Sequence, residues 1–168
     1  MEFLIAAMVF TVSIVALLGA YVSQSALNEH ARNLSWAMTD ASRVMEEIRR
    51  RNSNPCAGGA VPVATSPLGG VNPGPGWDDW LLGAGGGKSL EQATAPARSQ
   101  EYVVVSGIEG DDPMQITVAV CWRERARIVG ECEWNGAVLN PSQGSNGFLN
   151  DGIIQSQVML TTRMTCRS

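Results

Sequence analysis

Residues 3–22 read FLIAAMVFTVSIVALLGAYV, twenty positions without a charge. As a helix rising about 1.5 Å per residue, that run covers the roughly 30 Å hydrocarbon core of a bilayer, so a membrane span is expected over residues 1–23. A cleavable secretory signal would need a basic stretch in front, a shorter apolar run of about 7 to 15 residues and a small-residue cleavage site close behind it. Here Glu2 stands in front, and the chain goes on as SQSALNEHARNLSWAMTDASRVMEEIRRRN with no Pro before Pro55 and no Gly between Gly19 and Gly58. One helix is therefore expected over residues 1–53, running from the apolar span into solvent.

The polar half of this helix carries its own pattern. Leu27, Ala31, Leu34, Met38, Ala41, Met45 and Ile48 are spaced 4, 3, 4, 3, 4, 3, an apolar stripe that needs a partner. Glu29, Arg32, Asn33, Asp40, Arg43, Glu47 and Arg50 fall off it. Three heptads are short for an independent coiled coil, so the partner expected is the chain's own C-terminal part, with a dimeric coiled coil as the alternative. The sequon at Asn33 reads as helix surface rather than a glycan acceptor.

Composition narrows the function. The 168 residues hold 12 Lys+Arg against 16 Asp+Glu, a net charge of -4, one His and four Cys. With no basic run beyond Arg49, Arg50 and Arg51, nucleic acid is not an expected partner. A single His removes most His-based catalytic and zinc constellations. Every Lys and Arg lies after the span, which by itself would hold the body in the cytoplasm. An even number of Cys in a Gly/Pro-rich body points instead to disulfides and an oxidising compartment. A cleaved basic leader ahead of Met1 would reconcile the two.

A Glu just ahead of an uncharged helix that continues as an amphipathic one resembles the N-terminus of type IV pilins and pseudopilins. The segments MTDASRVMEEIRR, WDDWLLGAGGGKSL, ITVAVCWRERARIVGECEWNG and QVMLTTRMTCR extend the likeness to minor pilins of the pilus-modification type. The resemblance implies a leader cut by a prepilin peptidase, a methylated N-terminus at Met1 and assembly through the apolar helix. Glu2 is the residue that matches the family's N-terminal glutamate, three residues nearer the start than is usual. A carboxylate in hydrocarbon is costly unless paired. Glu2 can pair with the N-terminal amine of an adjacent subunit and set axial register; the alternative is a Glu at the membrane interface, favoured by the helix N-terminus. Gly19 stands where pilins often carry a helix-breaking Pro, and Gly costs a helix about 1 kcal/mol against Ala, so a break is expected there.

Residues 54–100 read as a Gly/Pro-rich connecting loop with a short helix at GWDDWLLGA. Asp78 and Asp79 offer paired carboxylates for acid/base chemistry, but a solvent-facing helix start anchored by Trp77 and Trp80 is the reading preferred. GAGGGKS invites a phosphate-loop reading that fails, because Leu82 stands where the first Gly is required; a flexible turn is expected. Residues 101–168 contain the runs EYVVVSG, MQITVAVCW, ARIVGECEW and IIQSQVMLTTRMTC, read as four antiparallel strands with a hairpin turn at RERA. Ile116, Val118, Val120 and Trp122 alternate and are expected to face the helix. Of the three possible Cys connectivities, Cys132–Cys166 with Cys56–Cys121 is preferred and direct pairing of Cys121 with Cys132 is the runner-up. No C-x-x-C is present and no metal is expected. The Asn-rich run from Asn135 to Asp151 resembles a calcium loop stripped of its acidic ligands and reads as turns.

The sequence thus predicts an α+β protein, a long helix on a small antiparallel sheet. The resemblance implies a structural, non-enzymatic subunit without a cofactor, held in the inner membrane with a periplasmic body before assembly. Its partners would be copies of itself or related pilins, the prepilin peptidase and the pilus assembly machinery, in an adhesive extracellular filament. The alternatives are a pseudopilin of type II secretion and a membrane-anchored periplasmic binding module.

Overall fold

The computed structural model describes residues 2–51, 76–92, 94–107, 113–142 and 155–165. Helix α1 runs Glu2–Arg51. The chain divides into two compact units between Asn33 and Leu34, each described by itself.

The first unit is the leading part of α1. Its hydroxyls are turned onto the helix backbone: Thr11 Oγ1 donates to Ala7 O (3.0 Å) and Met8 O (2.8 Å), and Ser13 Oγ donates to Val9 O (2.8 Å). The few polar side chains of the run are thereby satisfied inside the helix, as an apolar surrounding requires. Asn33, expected on the surface, is buried.

In the second unit, α1 lies on an antiparallel sheet. Strand β1 (Glu101–Gly107) and strand β6 (Val158–Met164) flank the long central strand β2 (Met114–Glu124). Strand β3 (Arg127–Val129) continues the β6 side by pairing with the end of β2 through Trp122↔Val129 and Glu124↔Arg127. The turn at Arg125 and Ala126 is the hairpin expected at RERA, with Arg125 at φ 56°. Ile116, Val118, Val120 and Trp122 are fully buried and meet Ala37, Ala41, Val44, Met45 and Ile48 of α1, together with Val103, Val105 and Val158. A core of this size is the main stabilising element of the body, each large side chain contributing about 1.5–3 kcal/mol on burial.

The face of α1 that packs is rotated from the expected stripe. Ala37, Val44 and the carboxylate of Asp40 are buried, whereas Leu27, Ala31 and Met38 are exposed. A strict heptad follows the 3.5-residue period of a supercoiled partner, but a flat sheet takes the wider face of a straight 3.6-residue helix, which admits positions 37, 40 and 44.

The third predicted strand is broken in two. After Gly130, β4 (Cys132–Trp134) leaves the sheet and pairs with β5 (Leu139–Pro141). Gly130 has φ 96°, and a Cβ there would lie 2.8 Å from Cys121 Cβ and 2.9 Å from Ser156 Oγ, so only Gly allows this bend. The bend folds β4–β5 over the second face of β2, where Cys121, Cys132 and Leu139 pack with Tyr102, Ile128 and Trp134.

Cys121 is bonded to Cys132 in this bend, with Cα atoms 6.1 Å apart. The preferred pairings Cys132–Cys166 and Cys56–Cys121 are therefore corrected in favour of the runner-up. The reason is the Gly130 reversal, which sets the two side chains within bonding range on one face of the sheet. Cys56 and Cys166 lie outside the described residues.

Candidate functional site

Two features of the molecule call for a functional account. One is the surface of α1 over residues 3–22. Phe3 is 93% exposed, and Leu4, Ile5, Met8, Val9, Phe10, Val12, Val15, Leu17, Leu18, Tyr21 and Val22 are all exposed. Among the described residues this is the one helix long and apolar enough to cross a membrane, and none of its most apolar window is buried. Glu2 opens the first turn, where the helix dipole favours a carboxylate. Met1 lies outside the described residues. The break expected at Gly19 is absent: α1 passes through it, with Ser23 Oγ donating to Gly19 O at 3.1 Å. Unlike Pro, Gly keeps its N–H and has no ring to clash with the preceding turn, so its cost of about 1 kcal/mol is absorbed by a long helix.

The other feature is a buried cluster of charge where the second half of α1, helix α2 (Trp77–Leu82) and the start of β1 meet. It is assembled by the glycines 85, 86 and 87. Gly86 and Gly87 have φ 94° and 85°, and Gly87 N–H donates to Leu81 O at 2.8 Å, so the chain curls over the end of α2 and drives Lys88 inward. Lys88 Nζ, with its side chain fully buried, lies 2.9 Å from Asp78 Oδ1 and 3.6 Å from Glu91 Oε1, and donates to Glu101 O at 3.0 Å. Asp78 also accepts from Arg98 Nε (2.9 Å) and from Val103 N–H (2.8 Å). Arg98 Nη2 reaches Asp79 at 3.0 Å, and Asp79 in turn accepts from Gly76 N–H at the start of α2. From α1, Asp40 accepts from Ser89 N–H (2.6 Å), Ser89 Oγ (3.0 Å) and Arg43 Nη1 (3.1 Å). Glu91 accepts from Ser99 Oγ and from the N–H groups of Gln100 and Glu101.

Glu101 is the exception in this cluster. Its Oε2 accepts from Leu90 N–H at 3.2 Å, while Oε1 is buried without a hydrogen-bond donor facing it. Burial, and next the negative charge of Asp40, push the Glu101 carboxyl up to about 9, against the weaker pull of Leu90 N–H and Lys88.

Two expectations are corrected here. Asp78 is not solvent-facing but buried, because it supplies the acceptors for β1, Lys88 and Arg98 together. GAGGGKS is not a loose turn, since it delivers a buried cation to Asp78 and the Ser89 donors to Asp40. One signal in the sequence bore on this: Lys88 is the only lysine among twelve cationic residues.

Chemically, the cluster holds elements together. Apart from Glu101 Oε1, its buried carboxylate oxygens are engaged by donors, and Asp79 sits at the exposed rim. An open groove of about 540 Å³ lies on α1 and is lined by Ser35, Met38, Thr39, Ser42, Arg43 and Glu46. The calcium-like run begins with a closed turn, in which Asn135 Oδ1 accepts from Ala137 N–H (3.0 Å) and Val138 N–H (2.9 Å). Asn146, Asn150 and Asp151 lie outside the described residues. Among the described residues no group of three or more His, Cys, Asp or Glu is arranged to hold a metal ion.

The architecture, an apolar N-terminal helix continuing onto a small antiparallel sheet with a disulfide, is compatible with a pilin-like subunit. Compared with family models, with curated proteins and with solved structures, the chain matches none.

Proposed function

We propose that the chain is a non-enzymatic, pilin-like structural subunit, anchored in the inner membrane by residues 2–22 and then assembled through the same helix into a type IV pilus-type extracellular filament. One observation carries the reading. The exposed apolar run belongs to the same continuous helix whose later turns form the core of the body. An apolar rod of twenty residues has to be covered by lipid or by other apolar helices, and both environments suit it equally. A helix that is also built into a folded body can carry that body with it when it passes from one cover to the other.

In this reading Glu2 pairs with the N-terminal amine of a neighbouring subunit and fixes axial register, because a carboxylate in an apolar core is far costlier alone than beside a cation. Processing by a prepilin peptidase and partnership with related pilins belong to the same proposal. The test is Glu2→Ala in cells that make the protein, with the membrane fraction quantified and surface filaments counted by electron microscopy. The membrane form is expected to persist while filaments are lost or shortened. Normal filament number and length in that variant would retire the register role. A pool confined to short periplasmic assemblies would instead make the protein a pseudopilin.

A further inference from the structure

The buried cluster has a charge balance that does not close. Four carboxylates lie in the interior, with side-chain exposures of 0% for Asp40, 3% for Asp78, 5% for Glu91 and essentially none for Glu101. Among the described residues of the cluster, the one fully buried cation is Lys88. Arg43 and Arg98, 42% and 32% exposed, add partial compensation from the rim, and Arg98 is shared with Asp79. Among the described residues, five carboxylates thus face three cations. An uncompensated charge in the interior takes up a proton instead of remaining ionised.

Hydrogen bonding says which group does so. Asp78 has Lys88, Arg98 and Val103 N–H; Asp40 has Arg43 and both Ser89 donors; Glu91 has Lys88, Ser99 Oγ and two backbone N–H groups. Among the described residues of the cluster, only Glu101 lacks a cation on its carboxyl, and its Oε1 is a buried oxygen with no donor. A proton on Oε1 converts that orphan acceptor into a donor. The acceptor we assign to it is Asp40: the successive N–H groups of Ser89 and Leu90 donate to Asp40 Oδ2 and Glu101 Oε2, and the Asp40 charge acts on the Glu101 carboxyl.

We propose that the Glu101 carboxyl keeps its proton in the folded chain and donates it from Oε1 to Asp40, and that this bond is an acid-favoured fastening between the buried half of α1 and the start of β1. The groups facing it are Asp40 and Arg43 from α1, Asp78 and Asp79 from α2, and Lys88, Glu91 and Arg98 from the segment joining α2 to β1. The sign follows from linkage. The ordinary value for a glutamate is 4.5 and the folded value is raised to about 9, so between these limits the folded chain binds a proton that the unfolded chain has released. The contribution is present in full below about pH 4.5, declines steadily as pH rises and is exhausted above about 9. The proposal concerns the body and is independent of whether the chain forms filaments.

The test uses the full chain in detergent micelles with its glutamates carbon-13 labelled at the carboxyl, followed by NMR from pH 4 to 10. One glutamate carboxyl is expected to remain neutral at pH 7, and its signal is expected to vanish in Glu101→Gln, which keeps a donor toward Asp40 and an acceptor for Leu90 N–H. All glutamates ionised by pH 7, or a neutral signal that survives Glu101→Gln, would overturn it. Should Glu101→Gln fail to fold, Asp40→Asn supplies the second reading: the neutral glutamate should titrate at lower pH once the charge of Asp40 is gone, and an unmoved midpoint would overturn the contact with Asp40. In thermal melts, wild type should lose stability steadily from pH 5 to 9 while Glu101→Gln shows a flatter profile over the same range.

Discussion

The two halves of α1 have the same backbone and opposite surroundings. Over residues 3–22 the apolar side chains point all round the helix and are exposed. In the second half, Ala37, Ala41, Val44, Met45 and Ile48 occupy one face and are buried against Ile116, Val118, Val120 and Trp122, while Trp36 and Met38 stay exposed. Both halves are helical because neither contains a Pro, and in both the hydroxyls are satisfied on the preceding turn, as with Ser13 on Val9 O and Ser42 on Met38 O. Helix formation is thus local and shared, whereas burial is not. The second half is completed by the chain's own sheet and by the Asp40 contacts to Ser89. The first half has no cover among the described residues.

The sharpest way to separate the halves is to remove the cation that organises the second. Lys88→Met is expected to cost about 3–5 kcal/mol, since Asp78 and Glu91 lose their buried partner. In detergent, near-ultraviolet circular dichroism should report loss of the packed body at much lower temperature, with much of the α1 helical signal retained. Loss of all helix together would show that the first half leans on the body for its conformation.

A paired substitution probes the same contrast with apolar side chains. Ile48→Ala removes a fully buried side chain and should lower stability by about 2–5 kcal/mol. Leu17→Ala, in the exposed run, should leave the melting of the body unchanged. Equal shifts in both variants would break the distinction.

The smallest effect is expected at Gly19. A Cβ there meets nothing within 4 Å, and the residue is helical, so Gly19→Ala should stiffen the first half by up to about 1 kcal/mol. Slower amide exchange around residue 19 is the readout. Exchange left as fast as before would mean that the Gly is not a soft point of the helix.

Much of the architecture could be read from the chain directly. The uncharged run over 3–22, the unbroken helix beyond it, the alternation in β2 and the hairpin at Arg125 and Ala126 are all periodic or local signals, and local signals survive without a partner. The placement of Asp78 and Lys88 is not legible in the chain, for the opposite reason. An Asp pair at a helix start and a Gly-rich stretch before a Lys look the same whether they end in water or in the interior, and only the approach of α1 and β1 decides which. The Cys121–Cys132 bond shows the same limit, because it depends on Gly130 turning the chain back over β2.

By itself, then, the sequence determined the long helix, its apolar first half, and an antiparallel sheet to receive the second, because hydrophobic period and the absence of breakers act within a few residues. Tertiary structure decided the face of α1 that is buried, the disulfide partner and the inward turn of Asp40, Asp78, Lys88 and Glu101. Those depend on desolvation and on donors brought from far along the chain, as when Ser89 reaches Asp40 across 49 positions.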